Sequence, residues 1–180
     1  MHSFQVWLVE TIDAHSPVAA LMRTAWAWPI AESLHFIGLT LLVGTIGAFD
    51  LRLLGLGRRI PIAAMHRFIP LGICGFVLNA STGLLFLLTE PDQYIYNPSF
   101  HFKLLFLAIA GVNAGAFYVT SYRQVCREAV CEVPRRARII AAVSLCAWMG
   151  VITGGRLLTF YRPGPCPNQV VTWLLACQPR

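Results

Sequence analysis

The sequence predicts an all-α fold: an integral membrane four-helix bundle with an amphipathic N-terminal surface helix. Three observations carry that reading. The 180 residues are 57% hydrophobic and only 12% charged, with a mean hydropathy of +0.63, where a soluble domain carries about 25% charged residues. Four apolar runs are each long enough to cross a bilayer, which takes about 20 residues at about 1.5 Å rise per residue. The basic residues collect in alternate connecting loops. The length allows one bundle of a few spans. Residues 1–24 are read as an interfacial helix and lead-in, 25–161 as the four-span bundle and 162–180 as an extracytoplasmic tail.

Taken in order, Phe4, Trp7, Leu8 and Ile12 fall on one side of a helix, with Glu10 and Asp13 elsewhere. This suits a short helix lying on the membrane surface; a frayed amphipathic start is the plainer alternative. No cleavable signal peptide is expected, because a basic n-region is missing and the first apolar run is short. Pro17 breaks the helix, and Val18 to Thr24 lead into the bilayer with Arg23 near the interface.

The first span runs from about Trp26 to Phe49. Trp26 and Trp28 suit an interfacial aromatic belt, Pro29 fits a first turn, and Asp50 and Arg52 close the other end. The second span, about Phe68 to Thr89, is interrupted by Asn79, Ser81 and Thr82. The loop from Glu90 to Phe100 is acidic and holds two prolines. The third span, about Phe102 to Tyr122, has Gly111 and Gly115 at the GxxxG spacing that lets helix backbones approach. The fourth, about Ile139 to Phe160, repeats that spacing at Gly150 and Gly154 and carries Arg156 in its last turns. The apolar stretch from Val170 to Cys177 is too short to span and is placed on the surface.

The loops after the first and third spans hold nine of the fourteen basic residues: Arg52, Arg58, Arg59, Arg67, Arg123, Arg127, Arg135, Arg136 and Arg138. The net charge of +6 is thus a positive-inside bias, and no nucleic-acid partner is implied. The expected location is a bacterial inner membrane with both termini in the periplasm. Cys166 and Cys177 would face that oxidising space, which suits a disulfide, though spacing alone does not establish one. Cys74 and Cys146 fall inside spans and read as small core residues. Cys126 and Cys131 have no second pair to make a zinc pattern.

Polar groups are costly in hydrocarbon, so those inside the spans are the candidate functional residues. Glu32 and His35 share a helix face at three-residue spacing. His35, nine residues past Trp26, lies roughly 14 Å from the outer interface. Asn79 and Asn113 are placed in the same mid-membrane layer, with Glu32, His101, Lys103 and Arg156 above it. A site opening toward the outside follows. Imidazole ligates haem iron and copper, and a helical bundle is a natural cage for a haem. His35 is the leading ligand, His101 a second, and a neutral Lys103 a further ligand or hydrogen-bond partner. Lys103 and Arg156 match haem propionates, and Asn113 and Tyr118 are polar partners. A copper site would use His35, His101 and Glu32, although no Met-rich motif of the copper-transport kind is present.

Structural roles stand beside each of these. An intramembrane His is often only a helix–helix hydrogen-bond group. Glu32 would pair with Arg156 or Lys103, and Lys103 near a span end would snorkel. Asn79 and Asn113 serve packing and hydrogen bonding. His66, beside Arg67 in a basic loop, reads as solvated, and His2 and His15 as surface groups.

The pattern of Glu32, His35, Gly38, Leu41, Leu42 and Gly44, followed by Asp50 to Gly55, resembles an uncharacterised family of small bacterial integral membrane proteins. The resemblance continues through Thr82-Gly83, Asn97-Pro98, Phe100, Lys103, Gly111, Asn113-Ala114 and Gly155-Arg156. More distantly, the chain is similar to the membrane domain of the copper-resistance protein D type. It is also similar to HemJ-type protoporphyrinogen oxidase, a four-helix membrane protein with haem b. His35, Arg52, His101 and Lys103 occupy places like those of that type's first-span histidine, closing arginine and histidine–lysine pattern. That similarity implies a haem b site with His35 as ligand; the flanking motifs differ, and the oxidase activity is not carried over.

Three functions follow as expectations. The first is a haem-b-binding redox subunit that passes electrons to a partner. The second is a non-catalytic anchor or assembly subunit, packing through its GxxxG faces on another membrane subunit or a second copy. The third is a copper-handling membrane protein. Hydrolysis is disfavoured, since neither a G-x-S-x-G nor an H-E-x-x-H motif is present, nor a Gly-rich phosphate loop.

Overall fold

The computed structural model describes residues 17–127 and 133–161, together with residues 7, 9, 11 and 12 and the pairs 164–165 and 177–178. Trp7, Val9, Thr11 and Ile12 are helical, and the Thr11 hydroxyl donates to the Trp7 carbonyl at 2.7 Å. Phe4, Leu8, Glu10 and Asp13 of the expected surface helix lie outside the described residues, as does Cys166 and with it the disulfide expected to Cys177. Gly164–Pro165 pairs in parallel with Cys177–Gln178, a two-residue contact beside an otherwise helical fold.

From Pro17 onward the described residues form seven α-helices: α1 (Pro17–Met22), α2 (Ala27–Leu54), α3 (Ile62–His66), α4 (Ile69–Thr89), α5 (Pro91–Ile95), α6 (Pro98–Thr120) and α7 (Arg135–Leu157). A π-helical turn, Arg123–Arg127, follows α6. Four of the segments, α2, α3 with α4, α6 and α7, are long and apolar enough to cross a membrane. The chain is therefore an all-α membrane four-helix bundle.

Proline and glycine punctuate it as their backbones require. Pro17, Pro91 and Pro98 sit at helix starts, where a missing N–H costs nothing. Gly55 closes α2 at φ 109°, a left-handed cap that directs its N–H to Arg52 and that of Leu56 to Leu51. That cap extends the first span past its expected end. Asp50 and Arg52 are inside the helix rather than beyond it, and Asp50 is buried.

Small residues line the helix crossings and many large ones face outward, as lipid solvation permits. Ile37, Phe36, Leu84, Leu105, Val112 and Val119 are all exposed, whereas Gly38, Gly72, Gly75, Ala110, Ala141 and Ala147 are buried. Cys74 and Cys146, expected in the core, are exposed and free, because the interfaces take glycine and alanine instead. The principal interfaces join α2 to α4, α6 to α7 and α2 to α7. Around the bundle the order is α4, α2, α7, α6, and α4 and α6 have no comparable interface to close the ring.

Candidate functional site

His35 lies one turn above the tightest crossing in the bundle. At that crossing α2 and α4 meet through Gly38 and Gly75. The close approach brings two side chains of α4 onto α2. The Asn79 amide donates to the His35 carbonyl oxygen at 2.9 Å, and the Thr82 hydroxyl stands 2.8 Å from His35 Nδ1. Thr82 Oγ1 also lies 2.8 Å from the Leu78 carbonyl and 3.1 Å from that of Asn79. A hydroxyl has one proton, and the carbonyls take it. With its proton so placed, Thr82 accepts from His35 Nδ1–H, the tautomer that leaves Nε2 with its lone pair. Such a tie from the far ring nitrogen is how ligating histidines are oriented.

The ring is half-buried, and Phe86 packs edge-on to it at 5.5 Å between centroids. Phe86 in turn touches Trp28 at 4.9 Å, so the aromatic belt of the first span continues into the site. On α4, a Cβ at Gly83 would stand 3.5 Å from His35 Cε1.

Lys103 enters from α6. Its backbone lies 3.1 Å from where a Cβ of Gly154 would be, and its Nζ lies 3.9 Å from that of Gly155. The second GxxxG pair is thus a seat for the third span: Gly154 takes Lys103, and Gly150 takes the Phe106 ring. His35, Asn79 and Thr82 therefore form a polar layer between α2 and α4, and Lys103 of α6 is half-buried against the glycines of α7.

The remaining candidates are placed differently. Asn113 donates to the Ile140 carbonyl at 2.9 Å, near the start of α7. It lies ten residues beyond Lys103, roughly 15 Å deeper, so it does not share the His35 layer. Glu32 is exposed, and among the described residues no ion pair joins it to Arg156 or Lys103. Burial, with Glu90 and Glu32 adding to it, pushes the Tyr94 phenol up to about 12. Arg156 is exposed and stacks over Phe160, 5.4 Å from the ring centroid. His101 is exposed at the start of α6, its Nδ1 3.1 Å from the Asn97 carbonyl oxygen.

His66 is not the solvated loop residue its arginine neighbour implies. It is half-buried among Phe49, Tyr118 and Tyr122, with ring centroids 6.0, 6.0 and 5.0 Å away, and Tyr118 Oη stands 3.3 Å from its Nε2. The signal for this was the spacing of Tyr118 and Tyr122, which puts both rings on one helix face.

No family model, curated protein or solved structure matches the chain.

Proposed function

We propose that this membrane protein binds haem b through His35 Nε2 in the outer half of the bundle and passes electrons to a redox partner. One observation carries the reading: Thr82 holds the His35 Nδ1–H, so a half-buried imidazole in an apolar bundle keeps a free lone pair. Lys103 and Arg156 supply positive charge at and above that layer, which suits haem propionates. His101, two residues before Lys103, is the nearest candidate for a second ligand. The distant resemblance to the HemJ type supports the same assignment. A copper site takes several converging donors, whereas a haem needs a single anchored imidazole, which is what this layer offers. The arginine-rich loops would face the cytoplasm of a bacterium and the termini the periplasm.

The reading is tested by a reduced-minus-oxidised visible spectrum of protein purified in mild detergent, with metal analysis of the same sample. A Soret band and a sharp alpha band lost in His35→Ala are expected. A colourless, metal-free protein would overturn it.

A second reading, an anchor or assembly subunit, is favoured by one other feature. Gly111 and Gly115 face open space, with nothing within 4 Å of where their Cβ atoms would be. A colourless protein that purifies only with another chain would support this reading instead.

A further inference from the structure

Asp50 lies fifteen residues beyond His35 on α2, roughly 22 Å along the helix and one turn from its arginine-rich end. It is 5% exposed, and Ser144 of α7, itself 7% exposed, is the polar side chain that bears on its carboxyl group. Its second carboxyl oxygen, Oδ2, is buried with no hydrogen-bond partner among the described residues. The apolar cluster of Phe49, Leu53, Ala137 and Ala141 occupies the same end of the bundle.

No cation stands against it among the described residues. The elements packed on α2 are α1, α3, α4 and α7, joined at this end by Phe117 of α6 and Val125 of the turn after it. On those two, Tyr118 is turned to His66 and Arg123 is exposed. Helix α1 carries no titratable group, and the only one on α4 is Cys74, which is exposed. On α3, His66 is engaged by Phe49 and Tyr118. On α7, Cys146 and the arginines Arg135, Arg136, Arg138 and Arg156 are exposed. Within α2, the Arg52 guanidinium is turned to the Ile60 carbonyl at 2.6 Å and the Arg58 carbonyl at 3.2 Å. A buried carboxylate with no cation beside it is costly. A proton removes that cost. A serine hydroxyl can donate or accept, so Ser144 can serve either form of the carboxyl, and in the neutral form the missing partner of Oδ2 matters far less.

We propose that Asp50 and Ser144 form a proton-binding site within the bundle, separate from the His35 layer. Asp50 carries the proton in the resting protein. The site is independent of whether His35 holds a haem.

Infrared spectra of the full chain in lipid nanodiscs at neutral pH, taken in H2O and in D2O, test this. The expected result is a carbonyl band of a protonated carboxylic acid that shifts in D2O and is absent in Asp50→Asn. The Ser144→Ala variant should displace the band without abolishing it. Absence of the band, or its persistence in Asp50→Asn, overturns the proposal. If Asp50→Asn does not accumulate as folded protein, a band left unmoved by Ser144→Ala overturns it equally.

Discussion

Gly38 and Gly75 meet backbone to backbone. A Cβ on Gly38 would stand 2.8 Å from the Gly75 carbonyl oxygen, and one on Gly75 would stand 2.7 Å from that of Gly38. Such distances leave room for hydrogen and nothing larger. The same approach lets Asn79 reach the His35 carbonyl, so the helix crossing and the polar layer are one construction.

Gly38→Ala and Gly75→Ala are expected to force α2 and α4 apart, because the facing atoms are backbone and cannot rotate away. The expected loss is about 1–3 kcal/mol, the usual cost of overpacking. It would be read as a lower midpoint in a denaturing-detergent titration. Gly44→Ala is the control, since nothing lies within 4 Å of where its Cβ would be. Equal midpoints for all three variants would contradict the assignment.

Thr82→Val keeps the shape of the threonine but removes the acceptor for His35 Nδ1–H. A buried donor left without its partner costs about 1–3 kcal/mol, and the preference for the Nδ1-protonated tautomer should disappear. Nitrogen chemical shifts of the labelled imidazole measure that tautomer directly. Thr82→Ser should preserve it; a tautomer unchanged in Thr82→Val would show that Thr82 does not set it.

Asn97 is fully buried and works in two directions. Its Oδ1 accepts from the Ser99 N–H at 2.9 Å, capping α6, while its amide donates to the carbonyls of Leu158 and Tyr161 past the end of α7. Asn97→Asp retains the cap and loses both donations; Asn97→Ala loses all three. The cap alone is worth about 0.5–2 kcal/mol. Asn97→Ala should therefore lower the thermal midpoint, and Asn97→Asp, which sets a buried carboxylate against two carbonyl oxygens, should lower it at least as far. An Asn97→Asp protein as stable as the parent would show that the link to α7 contributes nothing.

The four spans were legible in the sequence because length and hydropathy alone decide them in lipid. The ends were less so. Gly55 was visible, but its left-handed cap, which carries α2 past Asp50, depends on backbone geometry. His35 was singled out as a polar group inside the first span, yet its partner Thr82 was read only as an interruption of the second span. A threonine hydroxyl can equally bond its own helix, and only the crossing at Gly38 and Gly75 brings it to another. Asn113 was misplaced for the opposite reason. Counting residues from a span end gives depth along one helix, whereas a hydrogen bond to Ile140 is decided by how α6 and α7 slide past each other. His66 looked solvated beside Arg67, and its burial rests on rings from α2, α6 and the turn after α6.

The incomplete ring of interfaces has a consequence for how the chain is made. Each tight crossing joins spans consecutive in sequence, α2 with α4 and α6 with α7. Each hairpin therefore emerges from the ribosome with its own closing surface already attached. The first can settle in the bilayer before the second has been synthesised, since its contacts are local. The seam between α2 and α7 then forms last, as a docking of two finished halves, and the side left open between α4 and α6 keeps one edge of the assembly available to lipid throughout.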